Sequence, residues 1–263
     1  MPGPESELDL LIAAARDAGD IAARHWKSDP KTWEKSGGEG PVTIADLEVD
    51  EMLRETLTAA RPGYGWLSEE TPDTEARLSQ DKTFIVDPID GTRAFIDGSR
   101  NFAHSIALAD RGQVIAAVVY LPVKDQLFAA ALDQGATLNG ETLQASHRED
   151  EAGATVLTAK PNLKPGLWPG GPPPVTPQFR SSLAYRLAVV GQGRFDGMIT
   201  LRDSWEWDIA AGALIVTEAG GAISDRHGAT LRFNNPTPQL PGVLAAAPQI
   251  HRQFLARLTP PQA

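Results

Sequence analysis

Apolar residues recur at helical spacing in two segments near the beginning of the chain. The first segment follows Ser6, which can cap a helix with Asp9 at the spacing of a capping box. The second runs from about residue 44 to residue 60 and ends at an Arg-Pro-Gly sequence. The glycine-rich stretch SGGEGP at 36–41 predicts a flexible connection between them. We expect the two apolar faces to be formed by Leu8, Leu11, Ile12, Ala15, Ile21 and Ala22 and by Leu47, Met52, Leu53 and Leu57.

Short runs rich in β-branched and aliphatic residues follow the two helices. The run at 83–87 is of strand type and ends in the sequence D-P-I-D-G, which predicts a turn. Three further runs at 102–109, 113–121 and 126–132 are separated by short polar links, which predicts an antiparallel meander. A short run at 136–138 ends at an Asn-Gly pair, a hairpin signal. Residues 1–150 are therefore predicted to place two helices against an antiparallel sheet.

The second half of the chain alternates between strands and helices. It begins with seven prolines and interspersed glycines at 161–177, which predict a surface loop or, alternatively, a flap on the substrate side. Beyond this segment we expect a helix at 182–191, a strand at 195–201, a helix at 207–219, a strand at 242–246 and a final helix at 248–258. Residues 151–263 are therefore predicted to form a smaller α/β layer.

Composition and charge narrow the class of protein. A chain of 263 residues forms one large domain or two small ones, and 41% hydrophobic residues exclude disorder along the whole chain. The net charge of −10 argues against binding to a nucleic-acid polymer. The absence of cysteine excludes a disulfide scaffold, a thiolate metal site and a cysteine nucleophile. No apolar run is long enough for a transmembrane segment and no leader pattern is present, so we expect a soluble, cytoplasmic protein.

Acidic residues gather at the ends of predicted elements. Glu69 precedes a second glutamate after the second helix, Asp87 and Asp90 lie in the D-P-I-D-G-T sequence, and Asp208 begins a helix. Each has a simpler explanation alone, as a turn, a solvated surface or a partner for the helix dipole. Taken together they fit Mg²⁺, which binds through a few carboxylate oxygens. Paired metal ions of this kind assist phosphate hydrolysis.

Three neighbouring residues add to this chemistry. Gly91 lets a backbone N–H approach a phosphate without a Cβ in the way. The hydroxyl of Thr92 could orient a water molecule. Asp46 could contribute a carboxylate or could simply cap the second helix together with Thr43. The five histidines of the chain show no paired ligand spacing, so a zinc site is not predicted.

A lysine and four short motifs follow one another along the chain, in a defined order and spacing. They are Lys35, P-V-T-x-A-D at 41–46, L-S-E-E at 67–70, D-P-I-D-G-T at 87–92 and W-D-x-A-A-G at 207–212. In this combination the chain resembles the inositol monophosphatase superfamily over residues 35–225. The resemblance implies a mixed α+β and α/β fold, built as a layered αβαβα sandwich. It also implies a Mg²⁺-dependent, lithium-sensitive phosphomonoesterase that acts on a small anionic phosphate ester.

The resemblance also assigns metal ligands. Glu69, Asp87 and the carbonyl of Ile89 would hold one Mg²⁺, and Asp87, Asp90 and Asp208 would hold a second. Glu69 could share a weaker third ion. The first half of the chain would thus carry most ligands, and the second half Asp208 and the substrate-side residues.

Catalytic and phosphate-binding roles follow from the same resemblance. Asp46 and Thr92, together with the metal ligand Glu69, would activate the attacking water. The backbone N–H groups of Gly91 and Thr92 would hold the phosphate. Gly40 departs from the pattern, because many members carry an aspartate there, and this leaves a peripheral metal contact open. Dimers are common in the superfamily, and the sequence leaves a homodimer open.

Some positions differ between branches of the superfamily. Those that resemble the 3'(2'),5'-bisphosphate nucleotidase branch are Ser68, Arg93, Leu201 beside Arg202, and Ser181-Ser182-Leu183. This branch removes the 3'-phosphate of adenosine 3',5'-bisphosphate in sulfur assimilation. We therefore expect substrate contacts from Lys35, Gly91, Thr92, Arg93, Ser182 and Arg202.

Several alternatives stay open. Arg93 and Arg202 could bind a second phosphate or could form surface salt bridges. Tyr185 or Trp205 could stack on adenine, although residues at this spacing are more often part of the core. Another small ester, such as inositol or histidinol phosphate, is the alternative substrate. A non-catalytic binding role is the alternative class.

Overall fold

Five layers of alternating helices and sheets make up the structure, a computed structural model that describes residues 6–35 and 40–258. Most of the predicted flexible connection at 36–41 lies outside the described residues. The helices are α1 (Glu7–His25), α2 (Ile44–Ala60), α3 (Thr92–Ile96), α4 (Leu183–Gly191), α5 (Glu206–Glu218) and α6 (Pro248–Leu258). Within the described ranges, none of the helices has the length and apolarity that crossing a bilayer requires.

Sixteen strands are found in the described residues, and most belong to two sheets. In chain order they are β1 (Thr32–Glu34), β2 (Pro41–Thr43), β3 (Gly65–Ser68), β4 (Lys82–Asp90), β5 (Ala103–Asp110), β6 (Gln113–Leu121), β7 (Gln126–Ala131), β8 (Ala136–Leu138), β9 (Glu141–Thr142), β10 (Thr155–Thr158), β11 (Thr176–Gln178), β12 (Gly197–Thr200), β13 (Ser204–Trp205), β14 (Ala222–Ser224), β15 (Gln239–Leu240) and β16 (Val243–Ala246). Strands β3 to β9 form a seven-stranded sheet in chain order. The five-stranded sheet has the order β11-β10-β12-β16-β14, and β1-β2 and β13-β15 are separate pairs.

The first layer contains α1 and α2, and the predicted beginning of α1 and both predicted bounds of α2 are confirmed. The Ser6 hydroxyl accepts a hydrogen bond from the Asp9 N–H at 3.1 Å and begins α1. Thr43 begins α2 in a capping box with Asp46, whose carboxylate accepts the Thr43 N–H at 2.8 Å. The prediction for Leu47 is wrong. Its side chain is 37% exposed, because this first-turn position points away from the sheet on which α2 packs.

Successive side chains of the central strands point to opposite faces of the sheet, and this divides the hydrophobic core into two clusters. In β4, Phe84 and Val86 pack with α1 and α2, whereas Ile85 belongs to the cluster on the opposite face of the sheet. In β5, Leu108 and Ala109 divide in the same way. Successive side chains of a strand point to opposite faces, so a sheet covered on both sides needs nearly continuous apolar runs.

The predicted meander is confirmed, and its neighbours extend it. Strands β5 to β8 are antiparallel, and a hairpin at Asn139-Gly140 joins β8 to β9. Both hairpin residues have positive φ, as a tight two-residue turn requires. Strand β3, which was not predicted, pairs in parallel with β4. Its four residues are too few to show a periodicity.

The middle layer contains α4 and α5 and lies between the two sheets. Side chains of both helices share one buried cluster with Ile85 of the first sheet and Met198 of the second. A helix enclosed in this way is apolar around its whole circumference. Gly212 allows the close approach of α5 to α4, since a Cβ there would lie 2.4 Å from the Leu187 Cβ. The layered αβαβα architecture is therefore confirmed.

The outer layer contains α6, which packs on the far face of the five-stranded sheet with Phe254 fully buried. The proline-rich segment at 161–177 contributes Trp168 to the same cluster, and the Trp168 indole N–H donates to the Asn162 carbonyl at 2.7 Å. Its last residues begin β11. The segment is therefore anchored on this layer by a buried tryptophan.

Burial of Phe254 predicts a large effect of its removal. We expect Phe254→Ala to lower the free energy of unfolding by about 3–5 kcal/mol, because the substitution leaves a cavity between α6 and its sheet. Denaturant unfolding followed by circular dichroism measures the change. Phe179→Ala is the matched control, since this ring is 57% exposed and contacts the Arg186 guanidinium. It should cost at most about 1 kcal/mol, and an equal loss in both variants would contradict the layer assignment.

Candidate active site

A cavity of about 970 Å³ opens where the two sheets and the middle helices meet. Residues from both halves of the chain line it. They include Lys35, Gly40, Glu69, Asp87, Asp90, Gly91, Thr92, Arg93, Asn162, Phe179, Arg180, Arg186, Arg202, Trp205, Trp207 and Asp208. Most of the acidic residues singled out in the sequence therefore face one space.

A bulge at the end of β4 shapes the floor of the cavity. The turn predicted at 87–91 is wrong, because β4 continues to Asp90 and pairs with β5 on both sides of a register shift. Pro88 cannot donate a ladder hydrogen bond, and this favours an irregularity at that point. The chain turns only at Gly91, which has a φ of 100°. A Cβ there would approach the Asn101 carbonyl oxygen to 3.3 Å, so glycine suits both the conformation and the space.

Three carboxylates converge at one point of the cavity. Glu69, Asp87 and Asp208 each offer an oxygen, and these oxygens lie within 4.8 Å of one another. The parallel pairing of β3 with β4 brings Glu69 beside Asp87, and the Glu69 N–H donates to the Val86 carbonyl at 3.2 Å. Asp208 arrives from the first turn of α5.

The convergence is electrostatically unfavourable without a cation. Burial, and then the neighbouring carboxylates, raise the pKa of Asp87 and of Asp208 well above the usual range. One oxygen of Asp87 is buried without a hydrogen-bond partner. An all-oxygen set with an unsatisfied buried oxygen suits a hard divalent cation, so the residues present fit the metal that the resemblance implies.

Asp90 lies next to this group but is held differently. Its Oδ2 accepts the Ser182 hydroxyl and the Ala184 N–H, both at 2.6 Å. Burial raises the pKa of Asp90 to about 6, while these two hydrogen bonds and the Arg186 charge oppose the rise. Ser182 caps α4 and is fully buried. The structure therefore brings Ser182 to Asp90 and not to the cavity wall where sequence reasoning expected it.

Asp46 caps α2 and also contacts Thr92 of the candidate site. Its Oδ2 accepts the Thr43 hydroxyl at 2.6 Å within the capping box, and its Oδ1 accepts the Thr92 hydroxyl at 3.1 Å. The Thr92 hydroxyl also lies 3.2 Å from the Ile89 carbonyl oxygen. Burial raises the pKa of Asp46 to about 6, against the hydrogen bonds from Thr43 and Thr92.

Lys35 and Ser68 contact acidic residues. The Lys35 ammonium lies 2.7 Å from a carboxylate oxygen of Glu69 and 2.7 Å from one of Glu70. Burial alone would lower the pKa of Lys35, but the two glutamates raise it. The Ser68 hydroxyl donates to Asp50 at 2.5 Å, which fixes the loop that carries Glu69.

Arginine side chains form another part of the wall. Arg93 and Arg202 are exposed to the cavity, and no carboxylate within the described residues forms an ion pair with either. Arg186 instead donates to the backbone carbonyls of Arg180, at 2.5 Å, and Ser181, at 3.1 Å. The cavity therefore combines a carboxylate cluster with four arginines that form no ion pair with a carboxylate among these residues, and, against burial, the charge of Arg202 acts to lower the pKa of Asp208.

His104 is a site residue that sequence reasoning missed. It lies on β5, fully buried, and its Nδ1 is 2.5 Å from the Pro88 carbonyl oxygen in the bulge. A carbonyl only accepts, so Nδ1 carries the proton. Burial lowers the pKa of His104 to about 4, which keeps the ring neutral. The available signal was the polar pair His104-Ser105 inside the otherwise apolar run at 102–109, beside the strand that carries the aspartates.

Fold and site together define a metal-dependent phosphomonoesterase. A model of the inositol monophosphatase family matches residues 4–261. The chain belongs to this family, as its motifs indicated.

Similar proteins have two kinds of name. The Nus factor SuhB of Pasteurella multocida is 32% identical, with 96% of each chain covered. The inositol-1-monophosphatase of Mesorhizobium japonicum is also 32% identical, with 97% of this chain and 96% of that one covered. Among solved structures, the IMPase of Thermotoga maritima has a TM-score of 0.81 at 28% identity, covering 95% of this chain and 96% of that one.

The hydrogen bond from His104 should hold in place the bulge of β4 that carries Asp87 and Asp90. We expect His104→Phe to weaken Mg²⁺ binding by about tenfold or more, because loss of a partner behind the ligands lets the carboxylates reorient. His104→Asn keeps a donor near the position of Nδ1 and should recover most of the affinity. Calorimetric titration with Mg²⁺ measures both variants, and thermal unfolding monitors their stability. Equal affinities in the two variants would show that only packing matters at this position.

Proposed function

We propose that this phosphatase removes the 3'-phosphate of adenosine 3',5'-bisphosphate and yields AMP and phosphate. The observation that carries this proposal is the pair of exposed cavity arginines, Arg93 and Arg202, which form no ion pair with a carboxylate among the described residues. A substrate with two phosphates supplies an anion for the metal site and a second anion for a guanidinium. A cavity of about 970 Å³ is large enough for a nucleotide.

The backbone at position 40 supports the availability of Arg93. A Cβ on Gly40 would lie 3.4 Å from a terminal nitrogen of the Arg93 guanidinium. An acidic side chain at this position would therefore lie against the arginine and neutralise it. Glycine leaves the guanidinium available to a ligand, which gives a physical reason for the departure noted in the sequence.

We propose two Mg²⁺ ions in the carboxylate cluster. Glu69, Asp87 and the Ile89 carbonyl would hold one ion, and Asp87, Asp90 and Asp208 would hold the other. The unpartnered buried oxygen of Asp87 supports its assignment to both. A third, weaker ion at Glu69 would have to compete with the Lys35 ammonium. Bound Mg²⁺ would polarise the phosphoryl oxygens and lower the pKa of the attacking water.

The protein's own groups would orient this water and receive its proton. The Thr92 hydroxyl donates to Asp46, so its lone pairs face other donors and can accept from a water. Asp46, whose pKa is raised to about 6, is ionised at neutral pH and accepts a proton more readily than a surface aspartate. The N–H groups of Gly91 and Thr92 would bind the phosphate, which can approach closely because position 91 has no Cβ.

Two residues expected to contact substrate are better explained as positioning residues. We propose that Ser182 orients Asp90, since its hydroxyl donates to that carboxylate. We propose that Lys35 balances the charge of Glu69 and Glu70, with which it forms ion pairs. Both side chains would then act on the carboxylates and leave phosphate binding to the arginines and backbone.

An inositol monophosphate is the second candidate substrate. Relatives named inositol-1-monophosphatase, at 32% identity, favour it. Such a substrate has one phosphate, so it would leave the second guanidinium without an anion. The ratio of kcat/KM for adenosine 3',5'-bisphosphate and inositol 1-phosphate distinguishes the two, and preference for the inositol ester would overturn the nucleotidase proposal.

The metal assignment predicts the behaviour of an Asp208 variant. We expect Asp208→Asn to lower Mg²⁺-dependent phosphate release by more than the roughly 10–100-fold that loss of an outer-shell partner costs. Release is measured by a phosphate assay with Mg²⁺ and with a chelator. Asp203→Asn is the matched control, because this exposed aspartate contacts Arg226 outside the cavity wall. Activity that survives chelation, or survives in Asp208→Asn, would refute the metal assignment.

The role of Arg93 predicts a substrate-dependent loss. We expect Arg93→Leu to lower kcat/KM for adenosine 3',5'-bisphosphate by about 10–100-fold, as loss of a charged hydrogen bond does. Adenosine 3'-phosphate, which has no second phosphate, should be affected much less. Arg100→Leu serves as control, since Arg100 is exposed and donates to the Val123 carbonyl. Equal losses for both adenosine esters would contradict a second phosphate site at Arg93.

A further inference from the structure

Two tryptophan rings form a stack on the cavity wall. The ring centroids of Trp205 and Trp207 are 4.6 Å apart, and the rings are nearly parallel, with an angle of 9°. Trp207 also packs against the buried cluster between the two sheets. Trp205 packs against none of the buried clusters found in residues 6–35 and 40–258. Trp205 is therefore the outer ring of the stack, with Trp207 between it and the core.

The backbone on both sides of this stack is held firmly. Trp205 lies on β13, which pairs with β15, and the next N–H, that of Glu206, donates to the Pro238 carbonyl at 3.0 Å. The Trp207 carbonyl accepts the Ser105 hydroxyl at 2.8 Å. The Glu206 carboxylate accepts the N–H groups of Asn234 and Asn235. An aromatic surface fixed in this way loses little freedom when a flat ligand binds to it.

Other aromatic residues near the cavity are less suited to this role. Tyr185 is 2% exposed and belongs to the core, with the Lys124 ammonium 4.2 Å from its ring centroid. Phe179 has the Arg186 guanidinium 4.5 Å from its ring centroid, which covers one face. Of the two residues that the sequence offered for stacking on adenine, Tyr185 and Trp205, only Trp205 is therefore suited to this role.

The position of Trp205 relates the stack to the metal site. Asp208 follows it by three residues in the first turn of α5, and Arg202 precedes it by three. All three residues line the same cavity. In a nucleoside 3',5'-bisphosphate, the base and the 3'-phosphate are attached to one ribose. A base would therefore lie a short distance from a phosphate bound at the carboxylate cluster.

We propose that the outer face of Trp205 binds the nucleobase of the substrate and selects nucleotides over phosphate esters without a ring. This inference rests on the proposed function and adds to it the residue that recognises the base. Stacking of one base on an aromatic side chain changes affinity by about 5–150-fold. The ring therefore acts on binding, and the rate of the chemical step is not expected to depend on it.

Binding of a matched ligand pair tests this role without turnover. AMP and ribose 5-phosphate differ by the base, and both are titrated in the presence of Mg²⁺ into wild type, Trp205→Leu and Trp205→Phe. We expect Trp205→Leu to weaken AMP binding about tenfold and to leave ribose 5-phosphate unchanged. Trp205→Phe keeps an aromatic face and should recover most of the loss. Trp33→Leu, at an exposed tryptophan outside the cavity wall, should bind both ligands like wild type.

The outcomes separate this proposal from the proposed function. Equal losses for AMP and ribose 5-phosphate in Trp205→Leu, or equal binding of both ligands by wild type, would overturn the base-binding role. Should the leucine variant fail to fold, Trp205→Met, which keeps a long apolar side chain on Trp207, provides the same comparison. A preference for inositol 1-phosphate in the turnover assay would overturn the nucleotidase proposal even where AMP binding depends on Trp205.

Discussion

The repulsion among three converging carboxylates, one buried and two partly exposed, is the constraint on which the site depends. Glu69, Asp87 and Asp208 bring oxygens within 4.8 Å of one another, and burial raises the pKa of Asp87 and of Asp208. The carboxylates stay together despite this repulsion because the fold fixes the backbone that carries each of them. Strand pairing holds Glu69 and Asp87, and the enclosed helix α5 holds Asp208. The Lys35 ammonium offsets part of the negative charge at Glu69, and a bound cation would offset the rest.

Local chemistry explains which elements could be predicted from the sequence. The ends of α1 and α2 follow from Ser6 and Thr43, whose capping bonds reach only three residues along the chain. The meander follows from apolar runs separated by short turns. The bulge in β4 could not be predicted, because D-P-I-D-G is locally a good turn. It is extended by pairing with β5, and the partners Asp90 and Ala103 are set by the sheet as a whole.

In the candidate site too, contacts between residues close in sequence could be predicted, and contacts between separate elements could not. Residues of the acidic set could be identified because they occur in short motifs, each read within a few positions. The partners of Lys35, Ser182 and His104 lie on other elements, so their actual contacts with Glu69, Asp90 and Pro88 are invisible to periodicity and spacing. The net charge of −10 was a poor guide for a similar reason. It describes the whole chain, whereas the cavity gathers arginines beside its carboxylates.

Because α5 is enclosed between the two sheets, binding of a metal ion at Asp208 would depend on correct packing of the layers. The first turn of α5 carries Asp208, while Asp87 lies in the seven-stranded sheet on which α5 packs and Glu69 directly follows strand β3 of that sheet. The proposed ion at Asp87, Asp90 and Asp208 takes ligands from both, so it would bind only after helix and sheet have docked. Its binding free energy is then added to that of folding, by an amount that grows with the logarithm of ion concentration. The cation would thus link the helix layer to the sheet layer. The unfolding temperature would then rise with the fraction of protein that has metal bound.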